Sequence, residues 1–250
     1  MRTLARLSWV ELKLFLREPL TVIFSLALPL IILVVLGGVF GNEANTGPQG
    51  GEIFRGVGAM TYYVPAYLAL VVASVCVISI PTHLAGNRER GVLKRFHASS
   101  VDAWTVAGAE VVVAFVISTA SAIILLLAAG LIYDFKGPDS PVAVVGVFAF
   151  LTLGFAVFGV LLGAVLPTAR AAQAVGMLVW FVMLFLGGAG PPPEVLTDNM
   201  SLVSDATPLW HAVRMMQDAW LGLDAGWSWV GFTALVIISA ILATRFFRWE

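Results

Sequence analysis

His83, His97 and His211 are the only imidazoles in this chain, and Cys76 is its only thiol. The histidines are scattered, with neither an HExxH pair nor a His-x-His spacing to aim two ring nitrogens at one ion. No metal site is predicted. Cys76 lies in an apolar stretch without a second thiol, so neither an intrachain disulfide nor a thiolate cluster can form. Lys13, Lys94 and Lys136 each follow a residue other than glycine, and the phosphate-cradling GxxxxGK[ST] loop cannot be built from them. No GxSxG elbow is present, and no two carboxylates share one face of an apolar helix. Asn199-Met200-Ser201 spells a glycosylation sequon, a three-residue match of low specificity. The chain is expected to hold no catalytic, cofactor-binding or metal centre of its own.

The charged residues that remain are concentrated. Gly86 to Val101, GNRERGVLKRFHASSV, carries Arg88, Glu89, Arg90, Lys94 and Arg95 between two long apolar segments. Gly91 breaks or caps a short helical piece, and Val92, Leu93 and Phe96 give the next piece an apolar face. Such a stub can dock a partner. A solvated basic loop that only fixes orientation is the alternative reading.

The elements around this stretch follow from composition. Of 250 residues 60% are hydrophobic and 12% charged, and mean hydropathy is +0.95. Soluble domains carry roughly 25% charged residues, so the charge has been stripped from long segments, as a bilayer core requires. About 20 residues at 1.5 Å rise cross that core. Six segments qualify: residues 20–40, 61–84, 105–131, 142–166, 171–189 and 229–247. The expected fold is an all-α integral membrane protein in a single domain, 1–250. Residues 2–18 read as an amphipathic interfacial helix, with Arg2, Arg6, Lys13 and Arg17 in one stripe and Leu4, Leu7, Val10 and Leu14 beside it. Its long charged region and the lack of a small-x-small site argue against a signal peptide. Pro29 implies a kink in the first span. Glu110 lies near the end of the third, within reach of the headgroups. Gly159 and Gly163 form a GxxxG notch in the fourth, which permits close helix packing without naming the partner.

Residues 190–228 are the longest polar interval. Within it Thr207 and Pro208 signal a helix start and Gly222 a stop. Leu209, Val213, Met216 and Trp220 form one apolar stripe, predicting a helix that lies on, or dips into, the membrane face. Six spans put both termini on one side. Arg2, Arg6, Lys13, Arg17, Arg88, Arg90, Lys94, Arg95, Arg170, Arg245 and Arg248 fall on that side, whereas only Arg55, Lys136 and Arg214 fall on the other. Loops rich in Lys and Arg stay inside, so both termini are expected in the cytoplasm and residues 190–228 outside.

The order of these features resembles a known family. Arg17-Glu18-Pro19 ends the interfacial helix, and Arg88-Glu89-Arg90-Gly91-Val92-Leu93-Lys94-Arg95-Phe96 is similar to the E-x-G-x-L-x-R-L signature of type-2 ABC transporter permeases. Pro208-Leu209-Trp210-His211-Ala212-Val213-Arg214 is similar to the N-P-L segment of that family, with Thr207 in place of Asn. Ser100 stands where proline is common, and GPPPEV lacks the aromatic that often follows its glycine. The resemblance covers the whole chain and points to drug-resistance and lipid or polysaccharide export permeases. It implies a dimeric subunit in the cytoplasmic membrane, with no cofactor of its own and no nucleic acid partner. A separate ATPase chain, holding ATP and magnesium, would supply the energy. The ATPase-coupling residues implied are Arg88, Glu89, Arg90, Gly91, Leu93, Lys94, Arg95 and Phe96, with Arg6, Lys13 and Arg17 of the interfacial helix. A hydrophobic or amphiphilic cargo would pass between two copies along spans two and five, with Tyr62, Tyr63, Phe181, Met183 and Phe185 as lining residues. A membrane-embedded lipid-modifying enzyme, and a passive channel or scaffold without ATP coupling, are the competing classes.

Overall fold

The computed structural model describes residues 2–15, 17, 23–41, 54–98, 103–133, 135–192, 196–224 and 226–246. These form helices and no strand. The elements are α1 (Arg2–Phe15), α2 (Ile23–Phe40), α3 (Ala59–Glu89), α4 (Val92–Ala98), α5 (Ala103–Ile132), α6 (Pro141–Val165), α7 (Ala169–Leu186), α8 (Asp198–Asp205), α9 (Pro208–Leu221) and α10 (Ser228–Phe246). Among the described residues six helices, α2, α3, α5, α6, α7 and α10, are long and apolar enough to cross a bilayer. The chain is a multi-pass helical membrane protein.

α3 is the axis, and every residue from Ala59 to Asn87 is buried. Its middle turn, Val75–Ser79, is π-helical and lies just before Pro81. Proline lacks an N–H, and its ring crowds the carbonyl four residues back, here Val77. A wider turn relieves that crowding. Ile23–Ala27 does the same ahead of Pro29 in α2, so the proline is met by a local π turn. The widened turn of α3 is clasped by glycines. A Cβ on Gly159 of α6 would lie 2.1 Å from the Cys76 carbonyl oxygen, and one on Gly176 of α7 would lie 2.6 Å from that of Val77. Gly163 fits against Leu84 and Pro81 in the same way. The GxxxG notch therefore grips α3 of its own chain.

α9 begins with Thr207 accepting a hydrogen bond from the Trp210 amide at 3.3 Å and ends at Gly222 in left-handed conformation. The helix is set into the bundle against α3, α6 and α10, with no broad face left outward. Leu209, Val213, Met216 and Trp220 are buried, and so are His211, Ala212, Met215, Gln217 and Asp218. Its apolar stripe meets protein, chiefly α3. Gly154 of α6 receives the Phe232 ring of α10, which lies 2.5 Å from where a Cβ would stand.

Candidate functional site

Where α3 ends, its charges bind neighbouring helix termini. The last carbonyls of a helix have no intrahelical donor. Arg88 supplies one to α6, donating from Nη1 to the Ala164 oxygen at 2.8 Å and from Nη2 to Leu166. A cation there also suits the helix dipole. Glu89 does the opposite for α7, accepting the Ala169 amide on Oε2 at 3.1 Å. Arg88 and Glu89 thus staple the end of α3 to the turn between α6 and α7. Gly91 takes φ 68°, a left-handed turn that glycine adopts without strain. α4 follows, with Leu93 buried against Leu84 and Val106. Leu93 anchors α4 to its own bundle and presents no free apolar surface. Arg90, Lys94 and Arg95 are exposed. On the N-terminal segment Lys13 is exposed over the Trp9 ring at 4.9 Å, and Arg17 is also exposed. The side chains of Arg6, Phe96 and His97 lie outside the described residues.

Beneath this end the structure assembles three groups that the sequence leaves apart. His83 Nδ1 lies 3.7 Å from Glu11 Oε2 of α1 and 3.7 Å from Glu110 Oε2 of α5. All three residues are buried, Glu110 to 2% exposure, so Glu110 faces inward to His83 and does not reach headgroups. Asn87 donates to Glu11 Oε1 at 3.3 Å, and Arg90 donates to Asn87 Oδ1 at 3.2 Å. Burial, and after it the charge of Glu110, pushes the Glu11 carboxyl up to about 7, with His83, Asn87 and Arg90 opposing. Glu11 was missed in the sequence because it reads as one more polar residue of an interfacial helix. A signal existed: it is the one acid between Arg6 and Lys13.

The other end of α3 is aromatic and closed. Tyr62 and Tyr63 are buried with Phe54, their rings 5.2–5.8 Å apart. Tyr63 and Tyr67 donate to the carbonyls of Gly190 and Ala189 at 3.0 and 2.9 Å. Gln217 of α9 donates to the Tyr62 carbonyl at 3.2 Å, and Asp218 holds Arg55 at 2.8 Å. The five lining candidates are not brought together. Tyr62, Tyr63 and Met183 are buried inside the bundle, while Phe181 and Phe185 of α7 face outward at 41% and 57% exposure. Phe181 packs beside Phe24 and Trp180.

Five spans packed around a sixth that is wholly buried, with a charged stub at the end of that helix, make a multi-pass membrane subunit. Residues 3–221 match the family described as ABC-2 type transporter, and the chain belongs to that family. It is the membrane permease component of an ABC transporter. A daunorubicin resistance ABC transporter permease protein, DrrB1, from Streptomyces coeruleorubidus is 25% identical over 253 residues, 96% of this chain and 84% of the relative.

Proposed function

We propose that the chain is the transmembrane half of an ATP-driven exporter in the cytoplasmic membrane, working as two copies with a separate ATPase chain. The observation that carries this reading is the stapled stub. α4 is held by Leu93, and its base is tied through Arg88 to the end of α6 and through Glu89 to the start of α7. A push on α4 would reach three spans through short polar contacts. The cations Lys94 and Arg95 point outward from it, and the sorting of basic residues to this end supports a cytoplasmic orientation. ATP and magnesium belong to the partner. Phe181 and Phe185, with Leu178 and Val182 beside them, give α7 an outward apolar face. A second copy meeting that face would leave a path suited to hydrophobic or amphiphilic compounds, drugs or lipids. The daunorubicin resistance named for the relative supports that cargo class.

The test is charge reversal on α4. Lys94→Glu with Arg95→Glu changes two exposed side chains, and extraction and thermal midpoint are measured beside the wild type. Exposed charges steer encounter and set salt dependence. The double variant should therefore lose co-purifying ATPase chain and transport-linked ATP hydrolysis. Wild-type values for both would return α4 to the role of an orientation-fixing loop.

A further inference from the structure

We propose that Glu11, His83 and Glu110 form a binding site for a divalent first-row transition ion of the zinc class, bridging α1, α3 and α5. One donor atom from each residue lies within 4.8 Å of the other two. The histidine nitrogen is 3.7 Å from a carboxylate oxygen on either side. Charge-assisted N–H···O bonds close to about 2.7–2.9 Å, so neither carboxylate sits at hydrogen-bond distance from that nitrogen. Tetrahedral ligation with bonds of about 2.0–2.2 Å spaces neighbouring donors roughly 3.3–3.6 Å apart. Each histidine–carboxylate spacing lies within a few tenths of an ångström of that range, and the two carboxylate donors lie within 4.8 Å of one another.

Charge argues the same way. Two carboxylates brought out of water are costly unless paired or bound to metal. Glu11 Oε2 and Glu110 Oε1 are buried and have no hydrogen-bond partner among the described residues. A divalent ion bound between them would stabilise their ionised forms. The imidazole selects against magnesium and calcium, which prefer all-oxygen shells, and the absence of sulfur from the three donors selects against copper(I). Asn87 already orients Glu11 through its second oxygen, and Arg90 orients Asn87. That is the outer support metal ligands need. The ion would lock α1 against α3 one turn before Arg88.

The experiment uses the full chain without a polyhistidine tag, purified into lipid nanodiscs and stripped with chelator. Zinc(II) is titrated calorimetrically and cobalt(II) followed by its visible absorption. The expected result is one saturable ion per chain and a rise in the thermal midpoint on adding zinc(II). Glu110→Gln and Glu11→Gln should each abolish both. Asn87→Ala keeps the three donors and should weaken binding by about 10–100-fold. Should Glu110→Gln fail to fold, Glu11→Gln on the peripheral helix and Asn87→Ala still decide. No saturable binding by the wild type overturns the proposal and leaves the cluster as a buried polar contact. Binding unchanged in the variants places the ion elsewhere and overturns it equally. The readout needs neither the ATPase chain nor transport, so it stands apart from the proposed function.

Discussion

At the Glu89 end of α3, charged side chains go to the termini of other helices, and a basic face remains directed outward. At the Ala59 end the same residue types are consumed internally. Arg55 pairs with Asp218 at 2.8 Å, and two tyrosine hydroxyls reach backbone carbonyls. One end is therefore closed on itself by α9, while the other offers cations on a stub that its own staples hold in place. On the proposed orientation, the closed end faces outside and the stapled end meets the energy source. Both ends hang on one buried helix, so a movement at the stub has a continuous route to the aromatic end.

The strongest way to break the comparison is to dislodge that helix. Gly159→Ala drives a Cβ into the Cys76 carbonyl, which as backbone cannot swing aside. Overpacking costs about 1–3 kcal/mol and sometimes more, and here the expected outcome is loss of monodisperse protein after detergent extraction. Gly146→Ala is the control on the same helix, since nothing lies within 4 Å of its Cβ position. It should extract normally and gain up to roughly 1 kcal/mol from helix propensity. Equal behaviour of the two variants would dismiss the clasp.

A second pair of variants, one at each end, sharpens the contrast. Arg88→Ala strips donors from the Ala164 and Leu166 carbonyls, and hydrogen bonds to charged groups contribute about 1.5–3 kcal/mol. Asp218→Ala leaves the Arg55 guanidinium half-buried without its carboxylate; between exposed and fully buried pairs, roughly 1–3 kcal/mol is expected. Thermal midpoints should fall comparably. Only Arg88→Ala should also uncouple ATP hydrolysis from transport. Uncoupling by both would mean that the two ends are not separable in function.

How much of this was legible in the sequence depends on what kind of signal each feature leaves. Six apolar segments declare themselves because lipid excludes charge, and Thr207-Pro208 and Gly222 stand at the ends of α9 because backbone caps have residue preferences. That α3 is wholly buried was not legible. Lipid tails are as apolar as Leu side chains, so hydropathy does not separate a lipid-facing helix from an enclosed one. The glycines at 159, 163 and 176 held the information, but a notch does not name its partner. Glu11, His83 and Glu110 come from three helices whose rotation about their axes no periodicity fixed. Arg88 and Glu89 read as docking charges, because a staple to the 164–169 turn is a long-range contact. Leu93 read as part of the docking face for the same reason.

The smallest expected effect lies at the closed end and depends on pH. His211 of α9 is buried, its ring edge-on to Trp210 at 5.0 Å and pressed against Gly231. Burial lowers its pKa from the usual 6.5, with Asp205 opposing through charge and a backbone hydrogen bond. The folded chain therefore binds this proton less readily than the unfolded chain. Where the unfolded state holds more protons, stability rises with pH. The contribution of His211 is fully present above about pH 6.5 and is lost as pH falls below it. Thermal midpoints of the purified protein between about pH 7.5 and 5.5 should fall more for the wild type than for His211→Asn, which has no proton to gain there. Co-purification of the ATPase chain should not distinguish the two proteins at either pH, because the imidazole sits at the end that α9 closes. Parallel pH curves for the two proteins would show that the ring is already solvated, and that α9 seals this end less tightly than its buried face implies.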